Sequence, residues 1–454
     1  MIEGVPVDVG LAYEGERIRK QETRIEFGGP HVGAKWELVR VRPPEAVDHG
    51  TVRIVGPDIR DLPEGARQPL GILIDVAGPA LEEDFEGIIE RRIHEYTNYV
   101  DGLMHLNQRY DIWIRLSKKA YAAGFDSLGY LGRVLLSLFQ SELPIVEAMQ
   151  VTFFTDPAEV EARLPEALAR FEARDARARG LSDEEVDTFY GCALCQSFAP
   201  RHICVITPER YANCGAISWF DGRAAARMDP KGPIFALEKG ACLDPTRGEY
   251  EGVNASAKER SMGEIDRIWL YSAFGHPHTS CGCFEGIAFY IPEVEGFGIV
   301  HRGFRDTTVN GLAFSTMADS TAGGRQVDGF HGVSLEYLKS RRFLQADGGW
   351  DRVVWAPAEI LDRVAPFLPE GVRERTATER DVGTIEELRA FLKAHDHPVV
   401  GRWLEEVPAG RPLATVGSLP VEVGGYRVIL KNARIYADRV IVLREEPGPG
   451  GRTS

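Results

Sequence analysis

Long apolar runs are missing from this chain of 454 residues. No stretch approaches the roughly 18 apolar residues of a membrane span. The best run, LGILIDVAG (70–78), has the size of one strand. The opening, MIEGVPVDVGLAYEGERIRK, lacks the continuous apolar core of a signal peptide, so the expectation is a cytoplasmic chain with no membrane partner. An excess of positive charge is also missing. The net charge of −15 leaves no global electrostatic reason to bind nucleic acid or an anionic membrane surface. The common catalytic motifs are absent too. There is no Walker A loop, no HExxH and no GxSxG, and no glycine-rich stretch sits in a strand–GxGxxG–helix context. No solenoid-type repeat is visible.

What remains is ordinary globular composition, 44% hydrophobic and 27% charged, with length enough for two or three domains. LGILIDV (70–76) predicts a buried strand. Phe85, Ile89, Ile93, Tyr96, Val100 and Leu103 step by three or four and predict an amphipathic helix over 82–106. VTFF (151–154) predicts a second strand. Asp156-Pro157 then opens a helix, with an acceptor at the cap and proline in the first turn. The charged stretch FEARDARARGLSDEEVD (171–187) reads as a solvated helix end or an interdomain connection. Thr384 and Glu387 form a capping box for IEELRAFLKAH. GYRVILKNARIYADRVIVL (425–443) reads as two strands with a turn near Lys431-Asn432, and the tail PGPGGRTS as disordered. The expected class is α/β and α+β in a multi-domain chain. An N-terminal α/β domain covers 1–170, an α+β domain carrying the cysteines 171–445, and a disordered tail 446–454.

Cysteine is scarce and confined. All seven lie between residues 192 and 283. In a reducing compartment such clustering favours metal ligation over cross-links. Cys192, Cys195, Cys204 and Cys214 follow C-x2-C-x8-C-x9-C. Four thiolates suit a [4Fe–4S] cluster, and they equally suit structural zinc. Only the first pair is close, whereas zinc ribbons usually carry two close pairs. That spacing leans toward iron–sulfur without excluding zinc or free thiols. Cys242 has no partner in the pattern and reads as a small buried apolar residue.

The segment TSCGCFEG (279–286) poses a different problem. A disulfide between Cys281 and Cys283 would close a small strained ring. A metal held by the Cys281 sulfur, the Gly282 and Cys283 amide nitrogens and the Cys283 sulfur would instead close one six-membered and two five-membered chelate rings. Gly282 has no Cβ and lets the backbone come close. A planar N2S2 donor set favours Ni(II) or Cu(II) over tetrahedral zinc. Its electron-rich sulfurs can bridge to a second metal. A lone CGC is more often a plain turn, and the neighbouring four cysteines lower the weight of that reading.

GCALCQSFAPRHICVITPERYANCGAISWFD (191–221), HPHTSCGCFEGIAFYIPEVEGFGIVHRGF (276–304) and YEGERIRK (13–20) together resemble acetyl-CoA synthase of the carbon monoxide dehydrogenase/acetyl-CoA synthase system. The resemblance is closer to the short beta subunit of the acetyl-CoA decarbonylase/synthase complex and runs from about residue 10 to the early 400s. It implies that Cys192, Cys195, Cys204 and Cys214 hold a [4Fe–4S] cluster. It implies two nickel ions. The Cys195 sulfur bridges to a proximal nickel, and Cys281 and Cys283 bridge that ion to a distal nickel seated with the amides of Gly282 and Cys283. Phe198 matches the aromatic residue beside the proximal metal, although on composition alone it reads as core packing. The implied reaction assembles or cleaves acetyl-CoA from carbon monoxide, a corrinoid-bound methyl group and coenzyme A. The implied partners are a corrinoid iron–sulfur protein, a carbon monoxide dehydrogenase subunit and a ferredoxin-like reductant. One departure bears on the dehydrogenase. The long bacterial form has an additional N-terminal domain that docks on it, and this chain begins about where that domain would end, so a stable complex is not carried over. Within RYDIWIRLSKKAY (109–121), Trp113 and Arg115 are the candidate contacts for coenzyme A; the bland alternative is a buried tryptophan with a solvated basic edge. His202, His276 and His278 read as residues that shape the loops around the ligands. The alternative from another class is a non-catalytic iron–sulfur electron-transfer or scaffold subunit.

Overall fold

A computed structural model describes residues 2–10, 18–107, 112–403, 419–423 and 426–430. The chain divides into two compact units, Met1–Arg402 and Trp403–Ser454. The first mixes helices with several sheets, in keeping with α/β and α+β architecture.

The expected strand at 70–76 is Leu70–Ala77, at the centre of a mixed four-stranded sheet. It runs parallel to Lys35–Val41 and antiparallel to Ala148–Phe154, and the latter pairs parallel with Val52–Val55. Its central position explains the unbroken apolar run, because both faces are covered. Ile72, Ile74 and Val76 are fully buried, and each contributes roughly 1.5–3 kcal/mol of hydrophobic stabilisation. A second four-stranded sheet orders Ala66–Gln68, Thr23–Gly28, Trp113–Ser117 and Leu103–Leu106.

The helix expected over 82–106 spans Glu86–Asn98 and no further. Val100 and Leu103 are buried as the periodicity requires, but they lie beyond the helix. Asn98 makes the difference. Its side chain accepts from the His105 N–H at 2.8 Å and donates to the His105 carbonyl at 3.1 Å. The amide thus ties the strand Leu103–Leu106 to the last helical turn, and Gly102 turns the chain between them at φ +79.

Asp156 caps the helix Pro157–Arg179 by accepting from Glu159 N–H. This helix absorbs the first half of the stretch read as solvated or connecting. Glu172 and Arg177 are exposed, as a solvated helix end requires, whereas other charges of the helix are paired. Arg174 is paired with Glu86 at 2.5 Å and with Glu90 at 2.9 Å, both on the Glu86–Asn98 helix, and Arg179 pairs with Glu336 at 2.6 Å. Thr384 and Glu387 form the expected capping box at the start of Ile385–Ala394.

The cysteine region rests on two further sheets. Thr188–Cys192 lies between Cys204–Ile206 and Ile234–Glu238, all antiparallel. Gly286–Ile291 lies between Phe330–Val333 and Gly296–His301, with Val353–Trp355 on the outer edge. One hydrophobic cluster takes in Ile72, Ile93, Phe189 and Tyr271 together with Cys192, Cys204 and Cys214. A second gathers around Phe297, Leu338 and Leu361. In the second unit, Leu419–Val423 pairs antiparallel with Tyr426–Leu430. The pairing therefore involves a strand upstream of the one expected to open at 425. Residues 431–454, including the expected second strand and the tail, lie outside the described residues.

Candidate metal centre

Strand pairing assembles the first cysteine set. In the register of the Thr188–Cys192 and Cys204–Ile206 strands, Cys192 faces Cys204 directly. Cys195 follows on the short turn Leu194–Ser197. Cys214 sits where the chain reverses, with the Gly215 N–H donating to the Ala212 carbonyl at 2.8 Å. Gly215 has φ +73, and a Cβ there would fall 2.2 Å from Glu285 Oε2, so no larger residue fits beside Cys214. All four cysteines are buried. Burial pushes the Cys192 thiol up, with Cys204 adding to the effect, and pushes Cys214 up to about 11 although Arg91 pulls the other way.

The CGC segment precedes the strand Gly286–Ile291. Gly282 has φ +121, which only glycine adopts without strain. The Cys283 N–H points at the Cys281 sulfur, 3.2 Å away, so an amide nitrogen and a sulfur of the segment already face each other. The sulfurs of Cys195, Cys281 and Cys283 all lie within 4.8 Å of one another. Hydrogen bonds from Cys195 and then Cys281 hold the Cys283 thiol well below its ordinary value. The sequence pattern brings the two motifs together only by inference; the fold brings their sulfurs together in space.

Two arginines that the sequence pattern does not single out flank this sulfur set. Arg91, on the Glu86–Asn98 helix, donates from Nη2 to Cys195 Sγ at 3.5 Å and to Cys283 Sγ at 4.0 Å. Burial pulls its pKa down, but the sulfurs of Cys195, Cys283, Cys214 and Cys192 more than reverse this and keep it well above the usual value. Arg210 donates to the Val205 carbonyl and the Asn213 side chain, each at 2.9 Å. It also hydrogen-bonds toward Cys204, while its Nε finds no partner among the described residues. Asn213 in turn gives its backbone N–H to Cys204 Sγ at 3.3 Å and its side-chain amide to the Thr279 carbonyl. A helical periodicity of hydrophobic residues carries no sign of such cations.

Histidines lock the two cysteine loops to each other. His278 accepts the Val205 N–H at Nε2, 3.0 Å away, and donates from Nδ1 to the Thr279 carbonyl. His202 Nδ1 meets Thr279 Oγ1 at 2.9 Å. Burial, opposed by Cys283 and aided by Arg210, lowers His202 to about 3. His94, one turn beyond Arg91, hydrogen-bonds Cys283; burial and the Arg91 charge lower it to about 3. These histidines are neutral at physiological pH. His276 packs edge-on against Trp269 and shapes its own loop.

The remaining candidates stand as follows. Phe198 is 43% exposed and follows the turn that carries Cys195, so it is not a core residue. Cys242 is exposed on the strand Cys242–Asp244, not buried as expected, because that strand belongs to a two-stranded surface ribbon. Arg115 stacks over Trp113 at 4.1 Å and is paired with Glu26 at 2.7 Å. They lie on the strand Trp113–Ser117, in a different sheet from the cysteines. Lys118 and Lys119 are likewise paired, with Glu64 and Asp101. Arg109 and residues 13–17 of YEGERIRK lie outside the described residues.

The donor set fits a metal group of net negative charge. Among these sulfurs the Cys283 thiol alone is held low by its neighbouring cysteines, yet two buried guanidinium groups point at the set. A buried charge is costly unless paired, and thiolates on a metal supply the pairing that neutral thiols do not.

Comparison with known proteins agrees with this geometry. Residues 5–160 match the family model of the CO dehydrogenase/acetyl-CoA synthase complex beta subunit. Residues 171–403 match the C-terminal family model of the ACS/CODH beta subunit. The acetyl-CoA decarbonylase/synthase complex subunit beta of Methanothermobacter thermautotrophicus is 50% identical over 465 aligned positions, covering 98% of this chain and 100% of the relative. That of Methanopyrus kandleri is 48% identical, covering 97% and 98%. That of Archaeoglobus fulgidus is 51% identical, covering 87% of this chain and 75% of the relative. The chain belongs to the beta-subunit family of the CO dehydrogenase/acetyl-CoA synthase complex.

Proposed function

We propose that this chain is the acetyl-CoA synthase of such a complex, an acyltransferase that assembles or cleaves acetyl-CoA from carbon monoxide, a corrinoid-bound methyl group and coenzyme A. The observation that carries the reading is the convergence of Cys195 with Cys281 and Cys283, because it joins a four-cysteine set to a CGC chelate. Cys192, Cys195, Cys204 and Cys214 would hold a [4Fe–4S] cluster. Cys195, Cys281 and Cys283, with the amide nitrogens of Gly282 and Cys283, would hold two nickel ions. When bound, these metals supply an electron-rich site at which methyl, carbonyl and thiol can be joined or parted.

The protein's own groups do the rest. The sulfurs come from two paired strands, from the turns that carry Cys195 and Cys214, and from the CGC segment, so the site is set by tertiary packing. Arg91 and Arg210 offset the negative charge of the thiolates. Phe198, exposed beside Cys195, narrows the approach to that sulfur. Trp113 offers a flat face for an adenine, and Arg115 a cation beside it, although Glu26 must share that cation with any phosphate of coenzyme A. A methyl donor such as a corrinoid iron–sulfur protein, a carbon monoxide dehydrogenase subunit and a ferredoxin-like reductant complete the proposed cytoplasmic system.

The test is metal and acid-labile sulfide content of protein prepared without oxygen and supplied with iron, sulfide and nickel. About four iron and about two nickel per chain are expected, with Cys281→Ala losing nickel and keeping iron. Exchange of the acetyl group of acetyl-CoA should appear only in the nickel-loaded protein. Iron without nickel would favour an electron-transfer or scaffold role, and zinc alone would overturn the catalytic reading.

A further inference from the structure

Arg91 is a buried cation with no carboxylate beside it among the described residues. Its side chain is buried, with the residue 5% exposed, and its guanidinium donates to two sulfurs, Cys195 Sγ at 3.5 Å and Cys283 Sγ at 4.0 Å. It arrives from far away in sequence, separated by 104 residues from Cys195 and by 192 from Cys283. The helix that delivers it is fixed in place. Arg174 clamps Glu86 and Glu90 on that helix, and Gly87 lies so close to the next element that a Cβ would fall 2.8 Å from Asp221 Oδ1. Desolvating a guanidinium costs several kcal/mol unless an anion faces it. The local anions are the ligand sulfurs themselves.

We infer that Arg91 is a positioning residue for this centre: its guanidinium holds Cys195 and Cys283 side by side, offsets the charge of their thiolates, and sets how readily the bound metals accept an electron. The inference rests on the metal reading proposed above and adds a residue to it. Groups that donate to ligand sulfurs, and fixed charges nearby, tune metal potentials. A fixed cation favours the reduced, more negative state, so its removal lowers the reduction potential. Lysine keeps the charge but lacks the planar fork that reaches two sulfurs at once.

The test uses the full chain with Arg91→Met, Arg91→Lys and, as a control on the same helix, Arg92→Met. In metal-free protein, diamide oxidation followed by peptide mass spectrometry reports the rate of the Cys195–Cys283 cross-link. Arg91→Met should slow it at least tenfold, Arg91→Lys should fall between, and Arg92→Met should match wild type. In protein loaded with iron, sulfide and nickel, a redox titration followed by electron paramagnetic resonance reports the midpoint. Arg91→Met should lower the ratio of reduced to oxidised centre at fixed potential about tenfold, equivalent to about 59 mV for a one-electron couple, and Arg91→Lys should recover most of it. A purely structural role would reduce the yield of folded protein and leave the midpoint in place. Unchanged cross-linking in Arg91→Met overturns the positioning claim, and an unchanged midpoint overturns the claim about electron acceptance. Should wild type itself bind no nickel, the proposed function fails, while the metal-free arm still decides whether Arg91 holds the two sulfurs together.

Discussion

Acidification charges histidines in the unfolded chain that the folded chain keeps neutral. His202, His278 and His331 form one buried group, with ring centroids 6.0 Å and 6.2 Å apart in sequence order. Burial lowers all three, and Arg210 adds to it. His202 sits at about 3, and His278 and His331 are held well below the usual histidine value. A folded pKa below the unfolded one means that the stability contributed is fully present above the unfolded value of roughly 6.5 and is lost as pH falls toward the folded value. At about pH 5 each histidine has then cost about 2 kcal/mol, and the three together about 6 kcal/mol. Asp183 works the other way. Burial raises it to about 6, so it binds its proton more readily in the folded state and returns about 1.4 kcal/mol at about pH 5. These four groups together lose about 4–5 kcal/mol, and His94, also at about 3, adds about 2 kcal/mol to the loss, a large part of a typical stability of roughly 5–15 kcal/mol. Urea unfolding of metal-free protein at several pH values between about 7.5 and 5 should show the midpoint falling steadily below about pH 6.5. His278→Gln should lose about 1–3 kcal/mol at neutral pH, because the Val205 N–H or the Thr279 carbonyl is left without its partner. It should also flatten the pH slope by one proton. A midpoint that stays level down to about pH 5, or a slope unaltered in His278→Gln, would refute the reasoning.

Gly215→Ala should lose iron and lower the melting temperature, at a cost above about 2 kcal/mol, since its Cβ would displace the Glu285 carboxylate that accepts the Leu335 N–H at 2.7 Å. Arg174→Met should cost about 3–5 kcal/mol in urea titration, because it leaves Glu90 buried without its cation and Glu86 with only Arg170 at 3.4 Å; recovery in a triple variant with Glu86→Gln and Glu90→Gln would confirm the cause. Asn98→Ala should cost about 2–3 kcal/mol by orphaning both backbone groups of His105. Hydrogen exchange should then accelerate in Leu103–Leu106 before the rest of the sheet opens.

Local rules in the sequence identified the elements whose cause is local. The apolar run at Leu70–Ala77, the Asp156-Pro157 start and the Thr384–Glu387 capping box depend on neighbours in sequence, and each appears where expected. The cysteine spacing exposed both halves of the candidate centre for the same reason. What periodicity could not separate was burial from helicity. Val100 and Leu103 keep the helical step and are buried, yet a side-chain amide at Asn98 ends the helix before them. The cations were hidden for a different reason. Arg91 is one of two adjacent arginines on a helix, and only tertiary packing decides that it faces the sulfurs while Arg92 pairs with Glu95 at 2.5 Å. Exposure is likewise a property of the whole surface, which is why Cys242 and Phe198 could not be placed from their own residue types.

The long sequence separations within the centre carry a consequence for how the protein is made. Its contributing groups run from Arg91 to Cys283, and the loop that packs on CGC reaches further still, with the Gly324 N–H donating to the Ser280 carbonyl at 2.9 Å. A growing chain that has just emerged past Cys214 already exposes four thiols able to capture iron or zinc. It lacks the CGC sulfurs and the contacts that complete their pocket. If the centre takes nickel as proposed, its selection has to wait until the CGC segment and the loop at Gly324 have also emerged and packed together.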